Sequence, residues 1–307
     1  MKRFLVIPGD PAGVGPELLE SVVRDGEVPA DDFALGGPAW WLRRWEGREW
    51  ELFFPNDDPV MEKKVVPGAA GPVSAKQAIG VLESAARACR EGRYAGLVTG
   101  PICKETVVRE GFPFAGQTEF LADTWGGEPS MAFWGEELRV VLATWHIPLA
   151  QVPAALNPGV LERAVERAFV LGRKSGRKEP RVAVCGLNPH AGEKGILGTE
   201  EEEWINPCLQ EWAQRFPGLV PTAQPSDTVF WNARQGLFDV VVALYHDQGL
   251  GPLKTCEFHT SCQVTLGLPY PRTSPDHGTA FALAGKGQAH GGSFRQALRK
   301  MRCFKNL

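Results

Sequence analysis

Short apolar runs alternate with amphipathic stretches along most of the chain, and this alternation predicts the fold class. The run at residues 4–7 is typical of a buried strand, and residues 17–23 have helical spacing. The alanine-rich stretch Ser74–Glu91 is predicted to be a long helix capped by Ser74, and the strand-like run 95–99 follows it. Strands that alternate with helices are typical of βαβ units, so the pattern predicts an α/β protein with a mainly parallel sheet.

Three further apolar runs share a feature at their carboxyl ends. They are predicted to be buried strands: 139–145, 181–187 and 239–245. A histidine stands just beyond each of them: His146, His190 and His246. Carboxyl ends of parallel strands lie along one edge, where open α/β folds bind ligands, and imidazoles there could hold a divalent metal. Each histidine alone is equally compatible with an ordinary position in a loop.

Other polar groups near these histidines have more than one interpretation. Glu193 and the pair Asp247-Gln248 could orient the imidazoles or bound water, or they could be solvated loop residues. A rival zinc motif consists of Cys256, His259 and Cys262. It lacks a fourth ligand and the paired Cys-x-x-Cys spacing, which argues against a closed structural site.

The glycine-rich and basic segments bear on anion binding. The loop 9–15 is neither a Walker A loop nor a Gly-x-Gly-x-x-Gly dinucleotide motif, so any NAD would bind without the Rossmann phosphate turn. The loop could present a helix N-terminus to an anion or be a plain turn. Lys254, and Arg272 beside the hydroxyl-rich segment 273–279, are candidates for a phosphate or carboxylate clamp. Solvated charges are the alternative.

Composition and charge exclude several classes of protein. The 307 residues are 43% hydrophobic and 22% charged, with a net charge of −3 and no long basic run, which argues against a nucleic-acid partner. No stretch of about 18 apolar residues predicts a membrane span, and the N-terminal apolar run is too short for a signal peptide. The seven cysteines are scattered, as expected of a reducing compartment, so we expect a cytoplasmic protein.

Successive motifs resemble those of a known enzyme family. They occur in the family's order at residues 9–17, 99–101, 118–122, 188–193, 245–250, 264–269 and 272–280. In these motifs the chain resembles the 4-hydroxythreonine-4-phosphate dehydrogenase family of vitamin B6 biosynthesis, and the resemblance spans nearly the whole chain.

The resemblance implies a three-layer α/β/α fold like that of isocitrate and isopropylmalate dehydrogenases, with two domains flanking a cleft. We expect the first domain to comprise 1–130 plus 267–307, and the second to comprise 131–266 with the metal ligands and dimer contacts. The resemblance also implies a homodimer with a shared active site.

The family's functional residues can be carried over position by position. The implied metal ligands are His146, His190 and His246, one of them from the other subunit. The implied substrate-binding residues are Gln117, Thr118, Lys254, Gln263 and Arg272. Asp247 and Lys254 are the candidate catalytic residues. The implied cofactors are NAD or NADP and a divalent metal (zinc, cobalt or magnesium), and no cofactor-binding residue is identified.

The implied reaction is the NAD(P)-linked oxidation of 4-phosphooxy-L-threonine, with decarboxylation, to 3-amino-2-oxopropyl phosphate. Two substrate-contacting positions depart from the family pattern, which has histidine at Gln117 and asparagine at Gln263. Cys103, where the family has asparagine, and the stretch 256–262 also depart from it. Glutamine keeps donor and acceptor capacity but cannot titrate. Two alternatives therefore stay open. One is a dehydrogenase of a sugar-acid phosphate such as 4-phospho-D-threonate or 4-phospho-D-erythronate, and the other is a binding protein for a phosphorylated ligand that has lost catalysis.

Overall fold

A computed structural model describes residues 2–55 and 58–305 and divides the chain into two compact units. Unit 1 comprises Met1–Pro129 and Cys262–Leu307, and unit 2 comprises Ser130–Ser261. Within the described residues, no helix is long and apolar enough to cross a membrane.

Both units are built from strands and helices that alternate along the chain. The strands are β1 (Phe4–Ile7), β2 (Phe33–Gly36), β3 (Leu52–Phe53), β4 (Leu97–Thr99), β5 (Ser130–Trp134), β6 (Arg139–Leu142), β7 (Val182–Val184), β8 (Val240–Ala243), β9 (Cys262–Leu266) and β10 (Arg272–Pro275). The helices are α1 (Gly15–Arg24), α2 (Ala39–Leu42), α3 (Pro72–Arg90), α4 (Lys104–Arg109), α5 (Gln117–Trp125), α6 (Val152–Ala155), α7 (Pro158–Lys174), α8 (Asn206–Ala213), α9 (Ser226–Arg234), α10 (His246–Glu257) and α11 (Gly292–Arg302). This alternation confirms the predicted α/β class.

The strands of unit 1 lie in the order β3-β2-β1-β4-β10-β9. All neighbours are parallel except β9, which runs antiparallel to β10. The long helix α3 packs its alanine-rich face, including Ala75, Ala78 and Ala85, into the apolar core of this unit. It begins at Pro72, so Ser74 is not its cap. Ser74 lies in the first turn, where its Oγ accepts a hydrogen bond from the Gly71 N–H at 3.1 Å.

The glycine-rich loop after β1 is a tight connection. Gly9 has φ +80°, and a Cβ there would lie 2.3 Å from the carbonyl oxygen of Pro101. A Cβ on Gly15 would lie 1.8 Å from the carbonyl oxygen of Pro8. Only glycine adopts such a φ readily and allows backbones to approach this closely, which explains the spacing of the motif.

The strands of unit 2 lie in the order β5-β6-β8-β7. β6, β8 and β7 are parallel neighbours, and β5 forms an antiparallel pair with β6. β7 and β8 are buried throughout, as expected of parallel strands covered on both faces. The three strands predicted to precede the histidines are therefore adjacent in the sheet, and their carboxyl ends lie along one edge.

Candidate functional site

Two of the three predicted metal-ligand histidines meet at the carboxyl edge of unit 2. His146 follows β6, and His246 is the first residue of α10 after β8. Their ring centroids are 5.8 Å apart. Both rings line a cavity of about 270 Å³, whose other lining residues are Ile147, Leu149, Val152, Tyr245 and Asp247.

The Asp247 carboxylate fixes the orientation of the His246 ring. Its Oδ1 lies 2.7 Å from the His246 Nδ1. An ionised carboxylate accepts hydrogen bonds and donates none, so in the neutral imidazole this contact favours the proton on Nδ1 and leaves the Nε2 lone pair for a metal. This is the arrangement that metal-binding histidines commonly adopt. It makes Asp247 an orienting group for His246.

Backbone strain singles out the same positions. His146 has φ 53° and His190 has φ 52°, both in the left-handed region that residues other than glycine rarely adopt. After His190 the left-handed conformation continues through Lys194. Such conformations cost on the order of 1–3 kcal/mol per residue and cluster at functional sites. The strain is thus an indication of function at two of the three histidines that does not depend on sequence similarity.

His190 lies on a separate loop that is held from inside by a buried carboxylate. The fully buried Glu201 accepts hydrogen bonds from the Asn188 backbone N–H and Nδ2, both at 2.8 Å. The exposed His190 ring lies with its Nδ1 4.0 Å from Oδ2 of Asp227. The loop is therefore anchored, and its imidazole faces solvent.

One chain alone does not bring the three imidazoles together. Among residues 2–55 and 58–305, no group of three or more histidine, cysteine or acidic side chains is arranged to hold a metal ion. The same finding applies to the rival motif of Cys256, His259 and Cys262. The Cys262 side chain is buried in β9, and burial raises the pKa of its thiol well above the usual range, which disfavours the thiolate that zinc requires.

The donor chemistry of His146 and His246 nevertheless fits a shared ion. Imidazole nitrogens bind zinc at about 2.0–2.1 Å, so each ring centroid lies roughly 3 Å from the ion, and two rings at a tetrahedral angle have centroids about 5 Å apart. The observed 5.8 Å is somewhat wider than this separation and remains below the maximum of about 6 Å. These two residues supply two metal ligands, and at least one further ligand would be needed to complete the coordination of an ion.

A second cluster surrounds the predicted anion-binding residue in unit 1. Arg272 is only 5% exposed, and its guanidinium donates to Thr99 Oγ1 (2.8 and 3.0 Å), Thr265 Oγ1 (3.3 Å) and Gln263 Oε1. All these acceptors are neutral. Burial lowers the pKa of Arg272 to about 10, and the negative charge of Glu119 partly offsets this effect. The cluster is a buried positive charge that an anionic ligand would stabilise.

Gln117 and Gln263, the two substrate-contacting departures from the family pattern, differ in whether the side-chain amide oxygen is available to a ligand. Gln263 Oε1 accepts from both Arg272 and Ser274 Oγ, the latter at 2.8 Å, so it is fully engaged. Gln117 Nε2 donates to the Gly100 carbonyl oxygen at 3.0 Å, whereas its Oε1 is buried with no partner in the described part of the chain. Gln117 therefore offers an acceptor to a ligand. Thr118, also predicted to bind substrate, is buried beside it in α5.

Lys254 belongs to unit 2, on the same helix as His246, whereas Arg272 belongs to unit 1. Its Nζ lies 5.3 Å from the centre of the Phe258 ring.

The sequence analysis did not identify Thr99 and Thr265 as partners of Arg272, or Glu201 as the anchor of the His190 loop. Thr99 had a signal, since it ends β4 at the carboxyl edge. Glu201 had none, because it follows the loop among three other glutamates.

Comparison with known proteins identifies the family to which the chain belongs. A model of the family described as "Pyridoxal phosphate biosynthetic protein PdxA" matches residues 44–301. The chain belongs to the PdxA family. It is 41% identical to a 4-hydroxythreonine-4-phosphate dehydrogenase of Thioalkalivibrio sulfidiphilus, over 97% of this chain and 95% of the relative.

Solved structures support the same assignment of the PdxA fold. The crystal structure of 4-hydroxythreonine-4-phosphate dehydrogenase from Klebsiella pneumoniae superposes with a TM-score of 0.84 at 31% identity, covering 99% of this chain and all of that one. A β-decarboxylating dehydrogenase from Thermococcus kodakarensis has a TM-score of 0.51 at 16% identity and covers 95% of this chain and 80% of that one. The second likeness concerns the fold alone, and it agrees with the isocitrate-dehydrogenase-like architecture that the sequence resemblance implied.

Proposed function

We propose that this PdxA-family chain is a 4-hydroxythreonine-4-phosphate dehydrogenase. It oxidises 4-phosphooxy-L-threonine with NAD or NADP, and decarboxylation gives 3-amino-2-oxopropyl phosphate. The observation that carries the proposal is the 41% identity to a protein of that name over 97% of the chain. The arrangement of residues in each unit is compatible with the parts of this reaction.

Arg272 and its neutral partners bind the phosphate of the substrate. The planar guanidinium presents a fork of N–H donors that suits phosphate oxygens, and an anion supplies the countercharge that the surrounding hydroxyls and amide lack. Gln117 Oε1 accepts a hydrogen bond from the ammonium or a hydroxyl of the substrate. Thr118 and Lys254 complete the substrate contacts.

A divalent metal would be held by His146 and His246 of one chain and by His190 of a second copy in a homodimer. Three observations support this sharing. No triad forms within the described residues of one chain, the His190 ring is exposed, and large apolar side chains flank the histidines in sequence without being buried. These side chains are Ile147 and Leu149 after His146, and Ile196 and Leu197 after the His190 loop. Exposed apolar groups of this kind are typical of surfaces that another protein covers.

In the proposed reaction a bound metal ion stabilises charge, and residues of the chain orient the groups that react. When bound, a divalent metal acts as a Lewis acid that stabilises the negative charge developing on the substrate oxygen. Asp247 holds the His246 imidazole in one tautomer and orientation. The hydroxyl-bearing carbon gives a hydride to the nicotinamide and the hydroxyl gives up its proton, which yields a β-keto acid. Loss of carbon dioxide from that acid, followed by protonation of the carbon, gives the ketone product.

A direct assay tests the proposal. Purified protein is supplied with zinc, cobalt or magnesium, with NAD or NADP, and with 4-phosphooxy-L-threonine, 4-phospho-D-threonate or 4-phospho-D-erythronate in turn. The proposal expects reduced cofactor and released carbon dioxide, with the highest kcat/KM for 4-phosphooxy-L-threonine. A preference for either sugar-acid phosphate would assign the chain to the alternative substrate class. Absence of turnover with all three, in protein that retains metal, would indicate a binding protein instead.

A further inference from the structure

A buried amide connects the chain segments that carry the proposed metal ligands. Gln248, in the first turn of α10, is 8% exposed. Its Oε1 accepts a hydrogen bond from the Leu244 backbone N–H at 2.6 Å. Its Nε2 donates to the Gly186 carbonyl oxygen at 2.7 Å and to Ser226 Oγ at 2.9 Å. Both donor hydrogens and the acceptor oxygen of this amide are therefore engaged.

The three partners of Gln248 lie on three different segments of unit 2. Leu244 follows β8 and stands two residues before His246. Gly186 follows β7 and leads into the loop of His190. Ser226 begins α9, and its Oγ donates to the same Gly186 carbonyl at 3.0 Å. One side chain thus joins the segments before His246 and His190 to the start of α9.

Displacement of Gly186 would be transmitted directly to the strained histidine loop. A Cβ on Gly186 would lie 2.7 Å from the Cα of Ala191, so the two backbones are already in close contact. Ala191 is the residue after His190 and shares its left-handed conformation. Hydrogen bonds from Gln248 and Ser226 hold the carbonyl oxygen of Gly186. The position of the His190 loop therefore depends on the Gln248 amide.

We propose that Gln248 is a positioning residue that sets the spacing between the His246 helix and the His190 loop. The inference rests on the metal-binding role proposed above. A site shared between two chains closes only if each chain presents His146 and His246 in one place and His190 at a fixed distance from them. Gln248 is the side chain that joins those two parts within each chain. Groups that orient metal ligands in this way typically change metal affinity or activity by about 10- to 100-fold when they are removed.

The test compares metal affinity with stability in four variants. Gln248→Met keeps the length of the side chain and removes all three hydrogen bonds. Gln248→Glu keeps the acceptor for Leu244 and removes both donors. Gln235→Met is a matched control at an exposed position of unit 2. Val165→Ala is a control for stability, since Val165 is buried in α7, a helix that carries none of the three histidines and no hydrogen-bond partner of Gln248.

Three quantities are measured for each variant: the dissociation constant for cobalt, by competition with a chelator, and kcat and KM at saturating metal. We expect Gln248→Met to raise the cobalt dissociation constant and to lower kcat by about 10- to 100-fold each. The KM for substrate should change less, because the hydrogen-bond partners of Arg272 belong to unit 1 and those of Gln248 belong to unit 2. Gln248→Glu should lose at least as much as Gln248→Met, because its second carboxylate oxygen would face the Gly186 carbonyl oxygen that now accepts from Nε2. Both controls should keep the cobalt dissociation constant of the wild type within about two-fold.

The outcomes separate this inference from the proposed function. If wild-type protein binds no metal and turns over no substrate, both proposals are wrong. If the wild type is active and Gln248→Met matches Gln235→Met in cobalt affinity and kcat, only the positioning role is wrong. An equal loss of cobalt affinity in Val165→Ala would also overturn that role, because the loss would then be a general effect of lower stability.

If Gln248→Met is insoluble, Ser226→Ala is used instead, because it removes one donor to Gly186 and one acceptor of Gln248. A several-fold rise in the cobalt dissociation constant supports the inference, and an unchanged one overturns it.

Discussion

Arg272 carries a buried charge whose hydrogen bonds go to the neutral oxygens of threonine and glutamine side chains. The sequence identified this residue as an anion clamp from the basic and hydroxyl groups near it in the chain. It did not identify Thr99 and Thr265, because these come from strands β4 and β9, whose pairing with β10 brings them to the guanidinium. Partners contributed by neighbouring strands depend on register, which local sequence does not specify.

Replacing Arg272 by lysine tests the clamp at the level of one residue. Arg272→Lys keeps the charge and loses the planar fork of donors. A hydrogen bond to a charged group contributes about 1.5–3 kcal/mol, so we expect kcat/KM to fall roughly 10- to 100-fold, mainly through a higher KM. The exposed Arg109→Lys in α4 is the control and should behave as the wild type. Equal KM values for the two variants would exclude Arg272 from substrate binding.

The direction of the pKa shift at Arg272 gives a second prediction. Burial lowers the pKa of this guanidinium, so its charged form is less favourable in the folded chain than in the unfolded one. A bound anion offsets that cost. Inorganic phosphate at ten times its dissociation constant should therefore stabilise the wild type by about 1.4 kcal/mol, and it should stabilise Arg272→Lys less.

Thermal unfolding in phosphate and in chloride of equal ionic strength measures this difference. The same phosphate effect in both proteins would place the anion site elsewhere.

The elements of unit 2 explain what the sequence could and could not predict about the histidine edge. The apolar runs ending near 145, 187 and 245 predicted strands two or three residues too long at the carboxyl end. The reason is that the buried backbone continues beyond the strands. Ala143, for example, donates from its N–H to the Ala243 carbonyl oxygen at 2.8 Å after β6 has ended. Burial alone therefore does not mark the end of a strand.

The left-handed turn from His190 to Lys194 was not predictable from the local sequence. Only Gly192 among its residues favours positive φ, and the other four adopt it although their residue types do not favour it. Glu201 lies against this turn, since its Oε2 would be 2.8 Å from a Cβ placed on Gly192. This turn sets the orientation of His190. The strand pattern therefore predicted where His190 lies along the sheet edge but not the direction of its side chain.

Glu257 anchors the other end of the helix that begins with His246. Its buried carboxylate accepts hydrogen bonds from the backbone N–H groups of Glu137 (3.1 Å), Leu138 (2.7 Å) and Glu136, which form the turn between β5 and β6. Glu257→Gln removes the charge and one acceptor. Because hydrogen bonds to charged groups contribute about 1.5–3 kcal/mol, we expect the free energy of unfolding to fall by about 2 kcal/mol.

Denaturant unfolding measures this change, and the exposed Glu203→Gln is the control. A change below about 0.5 kcal/mol, typical of surface substitutions, would show that the carboxylate is not an anchor.

At the scale of the whole molecule, the family and the α/β fold were predictable from sequence and are confirmed. The motifs predicted membership of the family, and the match over residues 44–301 bears this out. The sharing of the metal site was implied only by resemblance. In the structure His146 and His246 are neighbours, and no group of three possible metal ligands forms among the described residues. The proposed sharing therefore assigns His146 and His246 to one chain and His190 to its partner.

Mixing inactive variants tests that division most directly. His146→Ala and His190→Ala are each expected to be inactive alone, and the mixture is unfolded and refolded to exchange subunits. Every mixed dimer then has one site with all three imidazoles. Random pairing makes half of the dimers mixed, so about a quarter of wild-type turnover and metal content should return. A mixture of His146→Ala with His246→Ala should stay inactive, because both substitutions damage the same part of every site. Activity restored in the second mixture but not in the first would contradict this account of the site.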